Sequence, residues 1–245
     1  MYKMIIFDLD GTLAESKSPI NKEMAEALGE LLSKKKACII TGGNYEQIAK
    51  QVVKRLPKST NFSNLHLMPT CGSRYLRFSD NNWHVIYEND LLPEVKNLVI
   101  KKLEEGAKAL EYWVENSYGP LIEDRGSQIT YSALGQNAPK EEKEKWDPDG
   151  SKKRSLRDKL AVDLPGLEVR SGGSTSIDIT LKGMDKAYGI EQLRQYCKIT
   201  IMEMYFIGDR LDEGGNDFPV ISTGVTTKQV KDHQETLEEI RRILA

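Results

Sequence analysis

The sequence has little of what usually announces a special environment. Only three cysteines occur among its 245 residues, Cys38, Cys71 and Cys197, far apart and without CxxC spacing. A disulfide scaffold and a thiolate metal site are therefore not expected, and the thiols read as reduced core residues of a cytoplasmic protein. No stretch approaches the roughly twenty apolar residues that a spanning helix needs, and no basic-then-apolar leader opens the chain, so no membrane association is predicted. Acidic and basic residues nearly cancel to a formal net charge of -2, and Lys and Arg gather only in short runs such as SKKK and SKKRSLR. Without a basic stripe, nucleic acid is not an expected partner. The histidines, His66, His84 and His233, are scattered without metal-ligand spacing and read as structural, and Trp83, Trp113 and Trp146 read as packing residues. Internal repeats and low-complexity tracts are missing too.

What the chain does have begins at its third residue. In KMIIFDLDGTL, an apolar run of the kind that becomes a buried strand ends in two carboxylates one residue apart, Asp8 and Asp10. Burying even one unpaired carboxylate costs several kcal/mol, roughly, so the pair requires a cation or a chemical task. Three further runs read as parallel strands: ACIIT (37–41), MYFIGD (204–209) and, more weakly, PVIST (219–223). Helical patterns over 22–33 and 46–56 separate or follow the first two, which is the strand-helix-strand order of a parallel α/β sheet. Ligands bind such sheets outside the carboxyl ends of the strands, where Asp8, Thr41 and Asp209 would converge.

The middle of the chain has another pattern. A helical stretch over 91–110 leads to two alternating runs flanking a turn near Gly126. A charged helical stretch over 139–160, interrupted at DPDG, precedes a second turn-linked strand pair in LEVRSGGSTSIDITL. Together they predict an α+β module over 83–181 inserted between the two parts of the α/β core, 1–82 and 182–245.

Singly, the polar residues at the strand ends have plain explanations. Asp10-Gly11 is a turn, Thr41 a helix N-cap, Lys186 a solvated helix residue, and GGND a loop. In order, they form a pattern: DLDGT after the first strand, Thr41 before GGN, Lys186 opening a helix after the insert, and a strand running into GDRLDEGGND. This arrangement resembles the haloacid dehalogenase-like superfamily of phosphohydrolases and phosphomutases. The stretches GPLIEDRGSQITYSALGQ, GGSTSIDITLKGMDKAYGI and FIGDRLDEGGNDF are similar to those of the eukaryotic-type phosphomannomutases.

The resemblance implies a Rossmann-like parallel sheet core flanked by helices, with an inserted α+β cap domain. It implies Asp8 as nucleophile and Asp10 as acid and base, with Mg²⁺ held by Asp8, the Asp10 backbone carbonyl and Asp209. Asp217 is expected either to reach the metal through water or to orient Lys186. Thr41 and backbone N–H groups near Gly42 and Gly43 would hold a phosphoryl oxygen, and the Lys186 ammonium would offset developing charge. In the insert, Arg125 would clamp the distal phosphate of a phosphosugar, with Ser176 and Asp178 on the sugar or its phosphate. Where the mutase pattern has further arginines, this chain has Lys17, Gln136 and Lys143. Lys17 still offers a point charge, but Gln136 cannot replace a charged fork.

The expected activity is a Mg²⁺-dependent phosphatase acting on a small phosphorylated metabolite, such as a phosphosugar, through an aspartyl phosphate. A phosphomannomutase-type phosphohexomutase is the alternative, and a non-catalytic phosphoacceptor or binding protein the reading of a different class. Closure of the cap about hinges near 80–82 and 181–183 is expected, and a homodimer is left open.

Overall fold

In the computed structural model, which describes residues 2–245, the chain divides into two compact units. The first runs to Glu88 and resumes at Asp185; the second spans Asn89–Met184. Along the chain the first unit opens with β1 (Met4–Phe7), α1 (Lys22–Lys34), β2 (Lys36–Ile40), α2 (Tyr45–Gln51), β3 (Leu65–Met68), β4 (Arg74–Ser79) and β5 (Asn82–Glu88). The second unit contains α3 (Pro93–Ala109), β6 (Ile122–Asp124), β7 (Gln128–Ser132), α4 (Lys140–Trp146), α5 (Ser151–Asp163), β8 (Leu167–Ser171) and β9 (Ser176–Leu181). The first unit then closes with α6 (Lys186–Cys197), β10 (Met204–Gly208), β11 (Thr226–Gln229) and α7 (His233–Leu244).

The core sheet has the order β11-β10-β1-β2-β3-β4-β5. Its first five strands are parallel, and β4 and β5 add an antiparallel edge. Alternation along the central strands explains the layers. Ile5, Phe7, Ile39 and Ile207 pack with α1 and α7 residues such as Leu28, Leu31 and Ile240. Met4, Ile6, Cys38, Ile40 and Phe206 point the other way, onto Ile190 and Leu193 of α6. Strands covered on both faces are apolar throughout, which is why MIIF reads as an unbroken run. The helix α1 buries Met24, Leu28, Leu31 and Leu32 at helical spacing, and the Asn21 side chain caps it by accepting from the Met24 N–H at 2.8 Å.

The second unit is a four-stranded antiparallel sheet of order β6-β7-β9-β8. One face, with Ile129, Tyr131, Ile177 and Ile179, packs on Val99 and Leu103 of α3 and on Leu156 and Leu160 of α5. No helix among the described residues is long and apolar enough to cross a membrane. None of the three cysteines forms a disulfide among the described residues. His66 lies fully buried with its Nδ1 2.6 Å from the Tyr75 hydroxyl, and burial pushes its pKa down to about 3, so it remains neutral.

Three expectations are corrected. The PVIST stretch is not a strand: Phe218–Thr223 forms a 3₁₀ helix, and the edge strand is β11. Pro219 favours a helix start, and the Ser222 and Thr223 hydroxyls each donate back three residues, to the Pro219 and Val220 carbonyls at 2.7 Å. The insert does not begin at residue 83, because β5 pairs with β4 in the core sheet, Phe78 opposite Trp83. Residues 182–184 fall in the second unit instead. The expected hinge at 80–82 is the tight turn of that hairpin, with Asp80 and Asn81 at φ +49 and +61, a conformation these two residue types tolerate.

Close packing fixes where α6 lies against the loop after β3. On Gly189 in α6, a Cβ would lie 3.1 Å from the Cys71 carbonyl oxygen and 3.2 Å from the Gly72 Cα. Gly189→Ala is expected to cost about 1–3 kcal/mol through overpacking, read as a lower urea midpoint at unchanged slope. An unchanged midpoint would show that α6 has room to move.

Candidate active site

The site is assembled at the carboxyl ends of β1, β2 and β10. Asp8 continues the parallel ladder beyond β1, its N–H donating to the Ile207 carbonyl at 3.0 Å, so the backbone that forms the sheet also fixes the side chain. The chain then turns tightly: the Leu13 N–H donates to Leu9 O at 2.9 Å and the Gly11 N–H to Ala14 O at 2.7 Å. Gly11 has φ +91, and a Cβ there would run into the Asp209 carboxylate. Glycine is required twice over, by conformation and by space.

Lys186, at the start of α6, is fully buried. Its ammonium donates to Asp8 Oδ1 and to Asp217 Oδ1, the latter at 2.5 Å. Asp217 is held on its other side by the Arg210 N–H, which donates to Oδ2 at 3.1 Å. Asp217 thus contacts Lys186 and also belongs to the carboxylate group that could hold a metal, so both roles considered for it stay open. Carboxylate oxygens of Asp8, Asp209 and Asp217 lie within 4.8 Å of one another. Thr12 Oγ1 donates to Asp209 Oδ1 at 3.4 Å.

The charges do not balance. Three carboxylates face one ammonium, and Asp8 Oδ2 is buried without a hydrogen-bond partner. Burial, then the Asp217 and Asp209 charges, push the Asp8 pKa up to about 8 despite the pull of Lys186. Asp209 shifts up as well, by burial and by Asp217. Burial lowers the Lys186 pKa, but Asp217 and Asp8 outweigh it and keep the ammonium charged. An all-oxygen set with excess negative charge and one orphaned carboxylate oxygen fits a hard divalent cation.

Asp10 is held differently. Its Oδ1 accepts from the Lys17 N–H at 2.6 Å and from Gln51 Nε2 at 3.3 Å, and its Oδ2 from Gln47 Nε2 at 2.8 Å. Its side chain is aimed by α2 and by the loop that carries Lys17. Gln47 and Gln51 are functional candidates that sequence patterning did not single out. Their four-residue spacing on α2 is a visible signal, but only the fold brings that helix face to Asp10. Lys17 contributes its backbone N–H here, while its side chain is on the exposed surface.

Thr41 extends β2, its N–H donating to Met68 O at 3.2 Å. Its Oγ1 accepts from the Gly43 N–H at 3.1 Å, so the Thr41 hydroxyl keeps its own proton to donate. The Gly43 N–H thus helps to shape the turn. Gly42 lies between them, partly exposed.

The remaining predicted residues belong to the second unit. Asp178 on β9 lies opposite Thr130 on β7 and accepts from Thr130 Oγ1 at 2.7 Å and Gln128 Nε2 at 2.9 Å. The Ser176 and Ser132 hydroxyls are 3.2 Å apart on the same polar face. Arg125 donates to Glu123 at 2.8 Å. Gln136 and Lys143 are joined by a Lys143 Nζ contact to the Gln136 carbonyl at 3.1 Å.

Known proteins share this organisation. Residues 5–224 match the family of haloacid dehalogenase-like hydrolases. The chain is 24% identical to a phosphomannomutase of Arabidopsis thaliana over 229 residues, covering 90% of this chain and 87% of that protein. It is 26% identical to human phosphomannomutase 1 over 247 residues, covering 98% and 91%. In fold it is similar to a haloacid dehalogenase-like hydrolase from Bacteroides thetaiotaomicron, with a TM-score of 0.69, 20% identity and coverage of 99% and 100%. It is also similar in fold to an IMP-nucleotidase of Plasmodium falciparum, with a TM-score of 0.68 at 19% identity, covering 99% of this chain and 68% of that one.

The carboxylate trio makes a measurable prediction. A divalent cation at a hundredfold excess over its Kd should stabilise the fold by about 2.7 kcal/mol, several degrees in Tm, and Asp209→Asn should remove most of that gain. The gain should grow with pH. A folded pKa near 8, above the ordinary 3.8, means that the neutral Asp8 carboxyl's stabilisation is complete below about pH 4 and lost as pH rises through about 8. Thermal scans with and without Mg²⁺ at pH 5 and pH 8 check both statements; no shift at either pH would sink the cation site.

Proposed function

Since this chain belongs to the haloacid dehalogenase-like hydrolase family, we propose that it is a Mg²⁺-dependent phosphatase of a small phosphorylated metabolite, a phosphosugar first among candidates. The observation that carries the proposal is the Asp8 carboxylate, buried, with one oxygen held by Lys186 and the other without a partner.

A phosphate monoester is a dianion, so its transfer requires a nucleophile, neutralised oxygens and a protonated leaving group. Asp8 attacks phosphorus, the P–O bond to the alcohol breaks, and Asp10 gives that oxygen a proton, leaving an aspartyl phosphate. Water then attacks the same phosphorus while Asp10 takes its proton, releasing inorganic phosphate and restoring Asp8. The Gln47 and Gln51 amides and the Lys17 N–H keep Asp10 aimed through both steps. The Thr41 hydroxyl donates to a phosphoryl oxygen, and Lys186 offsets charge on the phosphoryl group while tied to Asp217. Asp8, Asp209 and the Asp10 carbonyl would hold Mg²⁺, which when bound neutralises phosphoryl charge and lets an anionic nucleophile approach.

The second reading, a phosphohexomutase, is favoured by the relatives named phosphomannomutase, which align over most of the chain. There the incoming group on the aspartyl phosphate is a hydroxyl of a reoriented phosphosugar instead of water. Hydrolysis is preferred because Lys17, Gln136 and Lys143 stand where the mutase pattern has arginines, and a weaker hold on the second phosphate lets water compete. Recognition of the rest of the substrate is assigned to the polar sheet face of the second unit, with Arg125, Ser176 and Asp178.

The deciding assay supplies mannose 1-phosphate, glucose 1-phosphate, mannose 6-phosphate and IMP with Mg²⁺, with and without a hexose bisphosphate, and tracks both free phosphate and sugar isomers. Free phosphate without isomer interconversion is expected. Interconversion with little phosphate would establish the mutase instead. Asp8→Asn should abolish turnover, and Asp10→Asn should lower kcat by about 10²–10⁴. Full activity in Asp8→Asn would end both readings.

A further inference from the structure

In the turn Thr70–Gly72, between β3 and β4, three successive residues have left-handed φ values of +48, +56 and +85. Glycine takes this conformation freely, but for Cys71 it is uncommon and for the β-branched Thr70 it is an outlier. Such strain persists only where the surroundings over-determine it, and it collects at functional sites. Here it sets two donors side by side. The Thr70 N–H donates to Gly43 O at 2.8 Å and the Cys71 N–H to Thr41 O at 2.8 Å. A turn of this kind directs successive N–H groups into one concavity, whereas an extended chain alternates them.

Both acceptors belong to the turn that carries the Thr41 hydroxyl. A trans peptide is planar, with its carbonyl and its N–H on opposite sides, and no peptide among the described residues is cis. Fixing the Thr41 carbonyl on Cys71 therefore directs the Gly42 N–H away from the loop, and fixing the Gly43 carbonyl on Thr70 does the same for the Asn44 N–H. The loop is itself held from three sides. The Tyr87 hydroxyl, on β5, donates to Gly72 O at 2.6 Å. Ser73 Oγ lies 2.7 Å from Thr70 O and 2.6 Å from Thr70 Oγ1. A Cβ on Gly72 would run into the backbone of Gly189 in α6. The Tyr87 ring packs on Tyr75 and Tyr196, with centroids 5.8 and 5.3 Å away, so ring and hydroxyl have separate tasks. Burial raises the Tyr87 pKa and keeps the hydroxyl protonated as a donor. Because α6 opens with Lys186, the one loop meets both the phosphoryl-holding turn and the helix that presents the ammonium.

We propose that the 70–72 loop aims the phosphoryl-holding turn 41–43, and that Tyr87 is a positioning residue which acts on the reaction through Gly72. The proposal rests on the phosphatase reading and deepens it: the Thr41 hydroxyl and the Gly42 N–H are directed by a strained loop at the start of the antiparallel half of the sheet. Donors set in place beforehand need no reorganisation as charge develops, and a misplacement of about 1 Å can cost about 10²-fold in rate. The antiparallel edge thereby gains a task, since β5 supplies the hydroxyl that locks the loop.

The test removes the Tyr87 hydroxyl and keeps the ring. For the intact protein with Mg²⁺, Tyr87→Phe is expected to lower kcat for p-nitrophenyl phosphate about 5- to 100-fold while KM changes less than about twofold. Orthovanadate, which takes the five-coordinate geometry of phosphoryl transfer, should inhibit the variant more weakly by a matching factor, and inorganic phosphate should bind within about twofold of wild type. A loss of fold alone would lower the active fraction and leave both inhibition constants unchanged; thermal scans follow it. Ser73→Ala loosens the other end of the loop and should give the same pattern, and it decides the question if Tyr87→Phe does not fold. An unchanged kcat, a lower kcat with unaltered vanadate inhibition, or an equal weakening of both anions overturns the proposal. Calorimetric titration with vanadate and with phosphate separates the two readings. If wild type hydrolyses nothing, the phosphatase reading fails, while weaker vanadate binding by Tyr87→Phe at unchanged phosphate binding still supports the loop. Equal vanadate binding, or none by wild type, refutes it.

Discussion

The constraint on which the rest depends is the buried ammonium of Lys186 between Asp8 and Asp217. A charge removed from water is costly unless partners surround it, and here the partners come from three distant parts of the chain. Asp8 leaves β1, Lys186 opens α6 nearly 180 residues later, and Asp217 comes after β10. Each packing decision in the core can be read as holding these three together. The Gly72–Gly189 approach lets α6 lie close enough for Lys186 to reach, and Gly11 leaves room for Asp209 beside the same cluster. The ion pair is weak evidence of stability and strong evidence of a site, because three carboxylates against one ammonium leave a net negative charge that burial alone would not tolerate.

How much of this was legible depended on the range of the interaction. Asp8, Thr41 and Asp209 stand at strand ends that hydrophobic patterning locates, which puts them at the same edge of a parallel sheet, whereas Lys186 and Asp217 joined them only through the family resemblance. The doubly covered strands β1, β2 and β10 were visible for the same reason. The short or half-covered ones were not. In β3, LHLM carries a buried histidine partnered by the Tyr75 hydroxyl and the Cys197 thiol, and β5 is a mostly exposed edge whose alternation is broken by a bulge against β4. Missing β4 and β5 misplaced the start of the insert. PVIST misled because composition cannot distinguish a buried strand from a 3₁₀ turn when one buried valine carries the signal.

The part of the site that sequence reasoning could not supply is the part built from neutral groups. Gln47 and Gln51 bear no charge and belong to a helix seven residues long, yet their amides and the Lys17 N–H surround Asp10. In the proposed reaction Asp10 gives and later recovers a proton, a role that a fixed cation beside it would oppose by holding it ionised. Amide donors fix its direction without adding charge. Asp8, tied to Lys186, and Asp10, tied to amides, are two residues apart in sequence and separated in electrostatic character by their neighbours alone.

That separation bears on the choice between water and a sugar hydroxyl as acceptor. Both require the same Asp8, Asp10 and Lys186 geometry, so the core residues are silent on the outcome. What differs is how long the dephosphorylated metabolite stays bound while it turns. Arginine forks hold a second phosphate by paired hydrogen bonds in a fixed plane, whereas a lysine holds it as a point charge and a glutamine as a neutral amide. In this chain Arg125 shares its guanidinium with Glu123, and Gln136 and Lys143 are joined to each other. Under the proposed hydrolysis, an intermediate held by such groups would leave more readily than it reorients, and the aspartyl phosphate would then meet water.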